Sequence, residues 1–228
     1  MPVQHESRAT LIAELATELA DGTPALDATG QRIAVALYRL LAQGGPVTSD
    51  ALAARIGVAR ANVEGVLDSL PGVYRDDDAA VIGFWGLSVT PMPHRLVVGG
   101  RTLYSWCAWD ALFIPPILGE PARVESTCAV SGDPITLRVT PQGVAAVSPP
   151  TTALSMLRPD GGLGDDVISS FCHHIRFFRS AHEAESWTAT RAGTLVLSLR
   201  EGFRLGQLTW RARLGAALDP LPAAEEVA

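Results

Sequence analysis

The sequence predicts an α+β protein in which a small, winged-helix-like helical domain precedes a larger domain of antiparallel strands and helices. Apolar residues recur at helical spacing over about the first 70 positions, whereas short apolar runs separated by glycine and proline turns fill the rest. At 228 residues and 47% hydrophobic content, the chain is long enough to build two cores. We therefore place the first domain at residues 1–86 and the second at residues 87–228.

The first domain is predicted to contain four helices and a hairpin. Ser7 can cap the first helix, Gly44 and Pro46 follow the second, and Gly57 separates the third from the fourth at helix-turn-helix spacing. The hairpin turns at three consecutive aspartates, residues 76–78, like the wing of a winged-helix domain. The predicted helices span about residues 7–20, 33–41, 49–56 and 59–70, and the hairpin strands are residues 73–75 and 81–85.

Short strands dominate the predicted second domain. A short helix carrying Cys107 interrupts them, and the pair Pro115 and Pro116 is expected to end it. Ser180 and Glu183 form a capping box for a helix that reaches about residue 192. The segment 149–166 is expected to be a loop, with one helical turn near residues 154–157, that could act as a lid. The predicted strands are residues 95–98, 101–104, 123–127, 135–140, 144–147, the end of 167–178, and 194–199; a final helix covers about 203–217 and a frayed tail 220–228.

The charge balance disfavours nucleic acid and anionic membranes as partners. The net charge is −6, so the long-range field of the protein repels phosphate. The first 86 residues hold six arginines against eleven acidic side chains, and the wing tip is acidic where DNA-binding wings need positive charge. We therefore interpret the first domain as a scaffold that packs on the second.

No targeting or membrane segment is recognisable in the sequence. The amino terminus lacks the basic start and apolar core of a signal peptide, and no run of about 18 apolar residues could span a bilayer. We expect a soluble, cytoplasmic protein whose three cysteines stay reduced, since their spacing contains no Cys-x-x-Cys pair. All 18 basic residues are arginine, which excludes lysine-based Schiff-base chemistry.

Cys107 and Asp110 are the candidate reactive pair. They lie three residues apart in apolar surroundings, and positions i and i+3 share one face of a helix. A carboxyl in an apolar patch is costly, and desolvation there raises its pKa and leaves a proton available near neutrality. Core packing stays open as an alternative for Cys107, because cysteine is among the most buried residue types.

The other two cysteines give weaker signals. Cys128 lies between a strand and a turn without a partner at useful spacing, and we expect it to be structural. Cys172 precedes His173 and His174, which could suggest a zinc site. Neighbouring side chains on a strand point to opposite faces, so at most one histidine could join Cys172. Ordinary surface or supporting histidines are the simpler interpretation.

Three cysteine segments and one carboxy-terminal segment together form a specific pattern. They are Leu103-Tyr104-Ser105-Trp106-Cys107-Ala108-Trp109-Asp110-Ala111-Leu112, Cys128 with its turn through Pro134, Phe171-Cys172-His173-His174-Ile175-Arg176-Phe177-Phe178, and Phe203-Arg204-Leu205-Gly206-Gln207. This pattern resembles the organomercurial, or alkylmercury, lyases of bacterial mercury resistance. Some relatives carry a further cysteine where this chain has His173, a departure that removes no residue the core mechanism needs.

The resemblance implies protonolytic cleavage of the carbon–mercury bond of alkyl- and arylmercury compounds to a hydrocarbon and mercury(II). Cys107 and Cys172 would capture the mercury, Asp110 beside it would protonate the carbon, and Cys128 would be structural. The resemblance also implies no separate cofactor, a first domain that does not bind DNA, and small thiols or a mercuric reductase as acceptors of mercury(II). The chemistry suits these residues independently, since thiolates bind a soft metal far more strongly than oxygen or nitrogen ligands do.

Two other functions stay open from the sequence. A mercury- or thiol-responsive winged-helix regulator would bind the metal without cleaving carbon, although the acidic first domain argues against it and Asp110 has no necessary role in it. A thiol enzyme with a substrate other than mercury is the third possibility. Trp106, Trp109 and Phe171 are expected to shelter the organic group, but core packing explains them nearly as well. The sequence does not separate a monomer from a homodimer.

Overall fold

A computed structural model of the chain describes residues 2–159 and 166–219, with side chains from residue 7 onward. The helices are α1 (Pro2–Asp21), α2 (Ala28–Leu41), α3 (Ser49–Ile56), α4 (Arg60–Asp68), α5 (Asp110–Leu118), α6 (Val167–Ser170), α7 (Ala181–Thr188) and α8 (Leu199–Leu214). The strands are β1 (Val73–Arg75), β2 (Val81–Phe84), β3 (Leu87–Ser88), β4 (His94–Val98), β5 (Arg101–Ser105), β6 (Ala122–Thr127), β7 (Pro134–Thr140), β8 (Gly143–Ser148), β9 (Ala153–Leu157), β10 (Phe177–Phe178) and β11 (Thr194–Ser198). Within these ranges no helix is both long and apolar enough to cross a bilayer.

Two antiparallel sheets organise the strands. Among the described residues, eight strands form one sheet in the order β1-β2-β3-β5-β4-β6-β7-β8, and three form a second in the order β10-β9-β11. The wing strands β1 and β2 thus join the strands of the second half through the two-residue strand β3. The α+β class predicted from the sequence is confirmed.

Side-chain caps begin helices α2 and α3. Helix α3 lies where the sequence places it, whereas α2 begins at Ala28, five residues before the predicted start at residue 33. Asp27 accepts the backbone N–H of Gly30 at 2.7 Å, and Thr48 accepts that of Ala51 at 3.1 Å. Gly57 ends α3 in the left-handed region, with a φ of 71°. Ser7, however, does not cap α1, because that helix already begins at Pro2.

Helix α8 packs against both α1 and α5 and so joins the amino-terminal helices to the rest of the molecule. The predicted start near residue 203 is about one turn late. Ser198 and Glu201 form a full capping box, in which each side chain accepts the other residue's backbone N–H. Glu201 also binds Arg8 of α1 at 2.7 Å, so one carboxylate both caps α8 and ties it to α1.

Residues 153–157 form a strand, β9, so the predicted loop at residues 149–166 and its helical turn near residues 154–157 are both wrong here. β9 is the central strand of the smaller sheet and pairs with β10 and β11. Four of its five side chains are buried, because both faces are covered, and the alternation that normally marks a strand is missing. Residues 160–165 of the predicted lid loop lie outside the described residues, as does the predicted tail at 220–228.

The capping box predicted for α7 forms only in part. Ser180 accepts the backbone N–H of Glu183 at 3.2 Å, but the Glu183 carboxylate accepts a hydrogen bond from the Cys128 thiol. Helix α7 ends at Thr188, before the predicted residue 192, because the chain turns there to enter β11 and the Arg191 N–H bonds the Thr188 carbonyl.

Candidate active site

The structure brings Cys107, Asp110 and Cys172 together although 65 residues separate the two cysteines. The two sulfur atoms and a carboxylate oxygen all lie within 4.8 Å of one another. All three side chains are buried, with exposed fractions of 0% for Cys107 and 4% for each of the others. Two thiols and one carboxyl therefore share a single site shielded from bulk water.

A tight turn, not a helix, places Cys107 beside Asp110. Cys107 lies between β5 and α5, and its backbone N–H donates to the Asp110 carboxylate at 2.7 Å, while its carbonyl accepts from the Ser105 hydroxyl at 3.1 Å. The expected helix thus begins only at Asp110.

The two prolines of α5 lie inside the helix, so the prediction that they end it is wrong. Helix α5 includes Pro115 and Pro116 and continues to Leu118 before it ends at Gly119, whose φ of 73° is left-handed.

Cys172 reaches the site from a separate segment. It begins a short 3₁₀ turn, Cys172–His174, that follows α6. The carbonyl of Ile175 accepts the backbone N–H of Ala108 at 3.3 Å, and the Ser155 hydroxyl of β9 donates to the carbonyl of His174 at 2.8 Å. These bonds fix the segment on the Cys107 turn from one side and on β9 from the other.

Burial controls the protonation of all three groups. Desolvation raises the pKa of Asp110 to about 7, although hydrogen bonds from Cys107 and from the Trp106 backbone act in the opposite direction. Desolvation likewise raises the pKa of Cys107 well above its ordinary value, helped by the hydrogen bond to Cys172 and the charge of Asp110. The Cys107 hydrogen bond lowers the pKa of Cys172, but desolvation and the charges of Asp110 and Asp166 outweigh it and raise the pKa overall. The resting site therefore holds neutral thiols beside a carboxyl that can exchange a proton near neutrality.

A narrow, mostly apolar cavity adjoins the three groups. Asp110 and Cys172 line it, and its free space is about 40 Å³. Trp106, Trp109 and Phe171 line it too, as expected from the sequence. The remaining lining residues are Leu19, Thr23, Trp85, Gly86, Phe113, Val167, Thr209, Trp210 and Arg213.

Gly86 is a site residue that the sequence analysis missed. It follows β2 with a φ of 93°, and its carbonyl accepts the Trp106 N–H at 3.0 Å. A Cβ at this position would lie 2.5 Å from the carboxyl carbon of Asp110, so only glycine leaves room for that side chain. Nothing in the sequence connects residue 86 to residue 110, because the contact arises when β3 pairs with β5.

Arg213 is the second missed residue, and here the sequence held a usable signal. Thr209, Trp210 and Arg213 lie on one face of α8, the face that carries most of its buried side chains. An arginine on the apolar face of an amphipathic helix is unusual and could have marked a site.

Cys128 and the two histidines lie apart from this cluster. The Cys128 thiol donates to the Glu183 carboxylate at 3.0 Å, and Cys128 is buried. His173 is exposed and its ring nitrogen contacts the Arg176 guanidinium at 3.2 Å. Within the described ranges, neither His173 nor His174 belongs to the group of side chains close enough to share a metal ion.

Comparisons with known proteins cover nearly the whole described chain. Residues 87–210 match the family model described as alkylmercury lyase, and residues 10–85 match the one described as the helix-turn-helix domain of alkylmercury lyase. The alkylmercury lyase of Pseudomonas putida is 40% identical over 174 residues, covering 76% of this chain and 81% of the relative. Those of Bacillus cereus and Streptomyces lividans are 38% and 34% identical, covering 75% and 81% of this chain and 78% and 84% of the relatives.

A solved structure shares the fold. The crystal structure of the mercury-bound form of MerB2 superimposes with a TM-score of 0.72 at 22% identity, covering 89% of this chain and 98% of that chain. The two chains thus share a fold over most of their length.

Proposed function

The chain belongs to the alkylmercury lyase family, and from that membership we propose that Cys107, Cys172 and Asp110 together cleave the carbon–mercury bond of organomercurials. The observation that carries this assignment is the meeting of two buried thiols and one buried carboxyl within 4.8 Å. The products are a hydrocarbon and mercury(II) held by the two sulfur atoms.

The two thiols supply the affinity for mercury. Mercury(II) is very soft, so it binds thiolate sulfur in preference to oxygen or nitrogen. As Cys107 and Cys172 bind the metal, one thiol proton leaves with the anion that accompanied the substrate. Two thiolates also push electron density onto the metal and weaken its bond to carbon.

Asp110 handles the second thiol proton. A carboxyl with a pKa of about 7 can accept a proton from a thiol at neutral pH and release it again. The departing carbon takes that proton while the electron pair of the carbon–mercury bond stays with carbon. Both thiol protons are then accounted for, one on the anion and one on the hydrocarbon.

The proposal needs no separate cofactor, because the thiols and the carboxyl supply both the metal ligands and the proton. Mercury(II) must leave before another turnover, and small thiols or a mercuric reductase are the proposed acceptors. Free thiols at Cys107 and Cys172 fit a reducing, cytoplasmic setting.

The proposal is tested by incubating the purified protein and excess thiol with phenylmercury and measuring benzene. We expect benzene from the wild type, none from Cys107→Ala or Cys172→Ala, and mercury binding without benzene from Asp110→Asn. A wild type that releases no benzene would refute the lyase activity. Full activity of Asp110→Asn would refute only the role of the carboxyl.

A mercury-responsive regulator is the weaker alternative. It would need DNA binding by the first 86 residues, where acidic side chains outnumber arginines by eleven to six. A regulator would also have no need for the buried Asp110, since two thiols suffice to bind mercury.

A further inference from the structure

Arg213 is a buried cation with unused hydrogen-bond donors. Only 8% of the residue is exposed, and one terminal nitrogen, Nη1, donates to the carbonyl of Ala20 at 3.2 Å. Its Nε and Nη2 atoms are buried without a hydrogen-bond partner among the described residues. Within the described part of the chain, two donors that could together bind a carboxylate are therefore unpaired.

Two tryptophans clamp this guanidinium. Its central carbon lies 4.1 Å from the ring centre of Trp85 and 5.5 Å from that of Trp210. The rings attract the cation through its faces and do not use the N–H donors at its edge. Trp85 has a φ of 35°, which is unfavourable for a bulky side chain, and hydrogen bonds to Pro71 and from Tyr38 hold it there.

A buried guanidinium without an ion-pair partner would be stabilised by binding an anion. Among the described side chains no carboxylate forms an ion pair with Arg213. Desolvation lowers its pKa to about 10, so it stays charged at neutral pH in surroundings that disfavour charge. Water could satisfy the hydrogen bonds but would not neutralise the charge.

Further free donors lie beside the guanidinium. The Thr209 hydroxyl and the Trp210 indole N–H are also buried without a partner in the part of the chain that the structure describes. Thr209, Trp210 and Arg213 are spaced to lie on one face of α8, and all three line the cavity that Asp110 and Cys172 also line. One cavity thus joins the reacting groups to a cluster of anion-binding donors.

We propose that Arg213, with Thr209 and Trp210, forms a specificity subsite for a carboxylate on the organic group of the substrate. This inference rests on the proposed lyase activity. A mercury atom held by Cys107 and Cys172 would direct its organic group into the apolar cavity, and the carboxylate would meet the guanidinium edge. The free space of about 40 Å³ is smaller than an aryl group, so binding of either an unsubstituted or a carboxylated ring requires lining side chains to move.

The test compares phenylmercury with 4-carboxyphenylmercury, two substrates that differ only in the carboxylate. We expect Arg213→Met to lower the ratio of kcat/KM for 4-carboxyphenylmercury to that for phenylmercury by roughly 10- to 100-fold, the range of a charge-assisted hydrogen bond. The loss should appear in KM with little change in kcat, as for a contact made before the chemistry. Arg213→Lys should give an intermediate ratio, since it keeps the charge but loses the planar fork.

Arg211→Met is the matched control. Arg211 lies on the same helix but is exposed and paired with Asp219 at 2.7 Å, so its loss should leave the ratio unchanged. Each ratio compares two substrates on one preparation, and partial loss of folded protein therefore cancels.

Free benzoate separates a substrate subsite from a general carboxylate site. If benzoate changes the tryptophan fluorescence of the wild type but not of Arg213→Met, while the ratio is the same in both, the site takes free carboxylates and the proposal is overturned. An unchanged ratio with active phenylmercury cleavage overturns this inference alone. Failure of the wild type to cleave phenylmercury overturns the lyase activity and this inference with it.

Discussion

Asp110 shows how burial prepares a side chain for chemistry. Among the described residues no arginine or histidine forms an ion pair with its carboxyl, which lies against two thiols beside a mostly apolar cavity. The hydrogen bonds from the Cys107 turn support the ionised form, but desolvation outweighs them and the pKa rises to about 7. The buried position of Asp110 is therefore enough to make its carboxyl able to accept and donate a proton at neutral pH.

The raised pKa of Asp110 predicts how stability depends on pH. A folded-state pKa of about 7, against 3.8 for the ordinary group, stabilises the protein fully below pH 3.8, and this contribution is lost as the pH rises through about 7. From pH 4 to 8, the free energy of unfolding of the wild type should therefore fall relative to Asp110→Asn, by up to about 4 kcal/mol. Urea unfolding of both proteins across this range measures the difference. A difference independent of pH would contradict the raised pKa.

Cys128 is predicted to contribute stability and not turnover. Cys128→Ala removes a buried thiol and leaves the Glu183 carboxylate without its 3.0 Å hydrogen bond, which should lower the free energy of unfolding by about 1–3 kcal/mol. Cys128→Ser restores a donor and should recover part of that loss. Benzene release from phenylmercury should stay near the wild-type rate in both variants. A loss of turnover in Cys128→Ser at unchanged stability would place this thiol in the reaction.

At the residue level, the sequence draws attention to side chains with distinctive chemistry. It does not draw attention to residues whose importance depends on where the fold places them. Cys107, Asp110 and Cys172 were predicted as the site, and the structure brings them together. Gly86 and Arg213 carry no motif, and their importance comes from what other parts of the chain place next to them. The burial of Arg213 is what makes it a candidate binding residue, and this burial depends on the residues that pack around it in the fold.

At the level of elements, the turn between β2 and β3 holds the space for Asp110. Gly86→Ala adds a methyl group 2.5 Å from the carboxyl carbon and also strains a backbone with a φ of 93°. We expect at least a tenfold loss of benzene release, because the carboxyl must move. Gly100→Ala is the control for strain alone, since Gly100 has a φ of 79° and open space around it. Equal activity in the two variants would show that the contact with Asp110 is unimportant.

The packing of α5 on α8 depends on a missing side chain. A Cβ at Gly206 would lie 2.6 Å from the Cβ of Phe113, so Gly206→Ala should lower the free energy of unfolding by about 1–3 kcal/mol through overpacking. The matched control is Gly65→Ala in α4, where nothing lies within 4 Å and alanine should raise stability by about 0.5–1 kcal/mol. Thermal or urea unfolding distinguishes the two signs. Stabilisation by Gly206→Ala would mean that the helices can separate without loss.

Elements with a clear period or cap were predictable, and elements defined by their neighbours were not. The stripe of α2 and the Thr48 cap of α3 lie where the sequence indicates. Strand β9 was missed because it is buried on both faces and lacks alternation. The Glu183 carboxylate does not complete the predicted capping box, because it accepts a hydrogen bond from the thiol of Cys128, which is distant in sequence.

At the scale of the whole molecule, the cavity is assembled from the full length of the chain. Leu19 of α1, Trp85 of the turn after β2, Phe171 and Arg213 all line it. Arg158 pairs with Glu18 and Arg8 with Glu201, which ties α1 to the second half of the chain. The boundary predicted at residue 86 falls between β2 and β3, two strands that pair with each other. The helical first half therefore takes part in forming the site, a role that charge and periodicity alone do not reveal.

The same first half has the fold elements of a winged-helix domain but carries more acidic than basic side chains, so we expect it to repel DNA. Arg60 of α4 already pairs with Asp50 and Glu64, at 3.0 and 2.7 Å, and Arg75 pairs with Asp68. The engaged arginines present little free positive charge, and the acidic wing tip adds repulsion. We therefore expect the wild type to leave a labelled DNA duplex unshifted in fluorescence polarisation at about 50 mM salt.

A charge-reversed wing tests the reason for this repulsion. Asp77 and Asp78 are exposed, whereas Asp76 holds the turn by accepting the backbone N–H groups of Asp78 and Ala80. Replacing Asp77 and Asp78 with arginine should give weak DNA binding that disappears as salt rises toward about 200 mM. Binding releases cations condensed on the phosphates, and this release becomes less favourable as the salt concentration rises. Tight, sequence-specific binding by the wild type would contradict the charge argument and revive the regulator. Absence of binding by the double variant would show that the charge of the wing tip is not what prevents DNA binding.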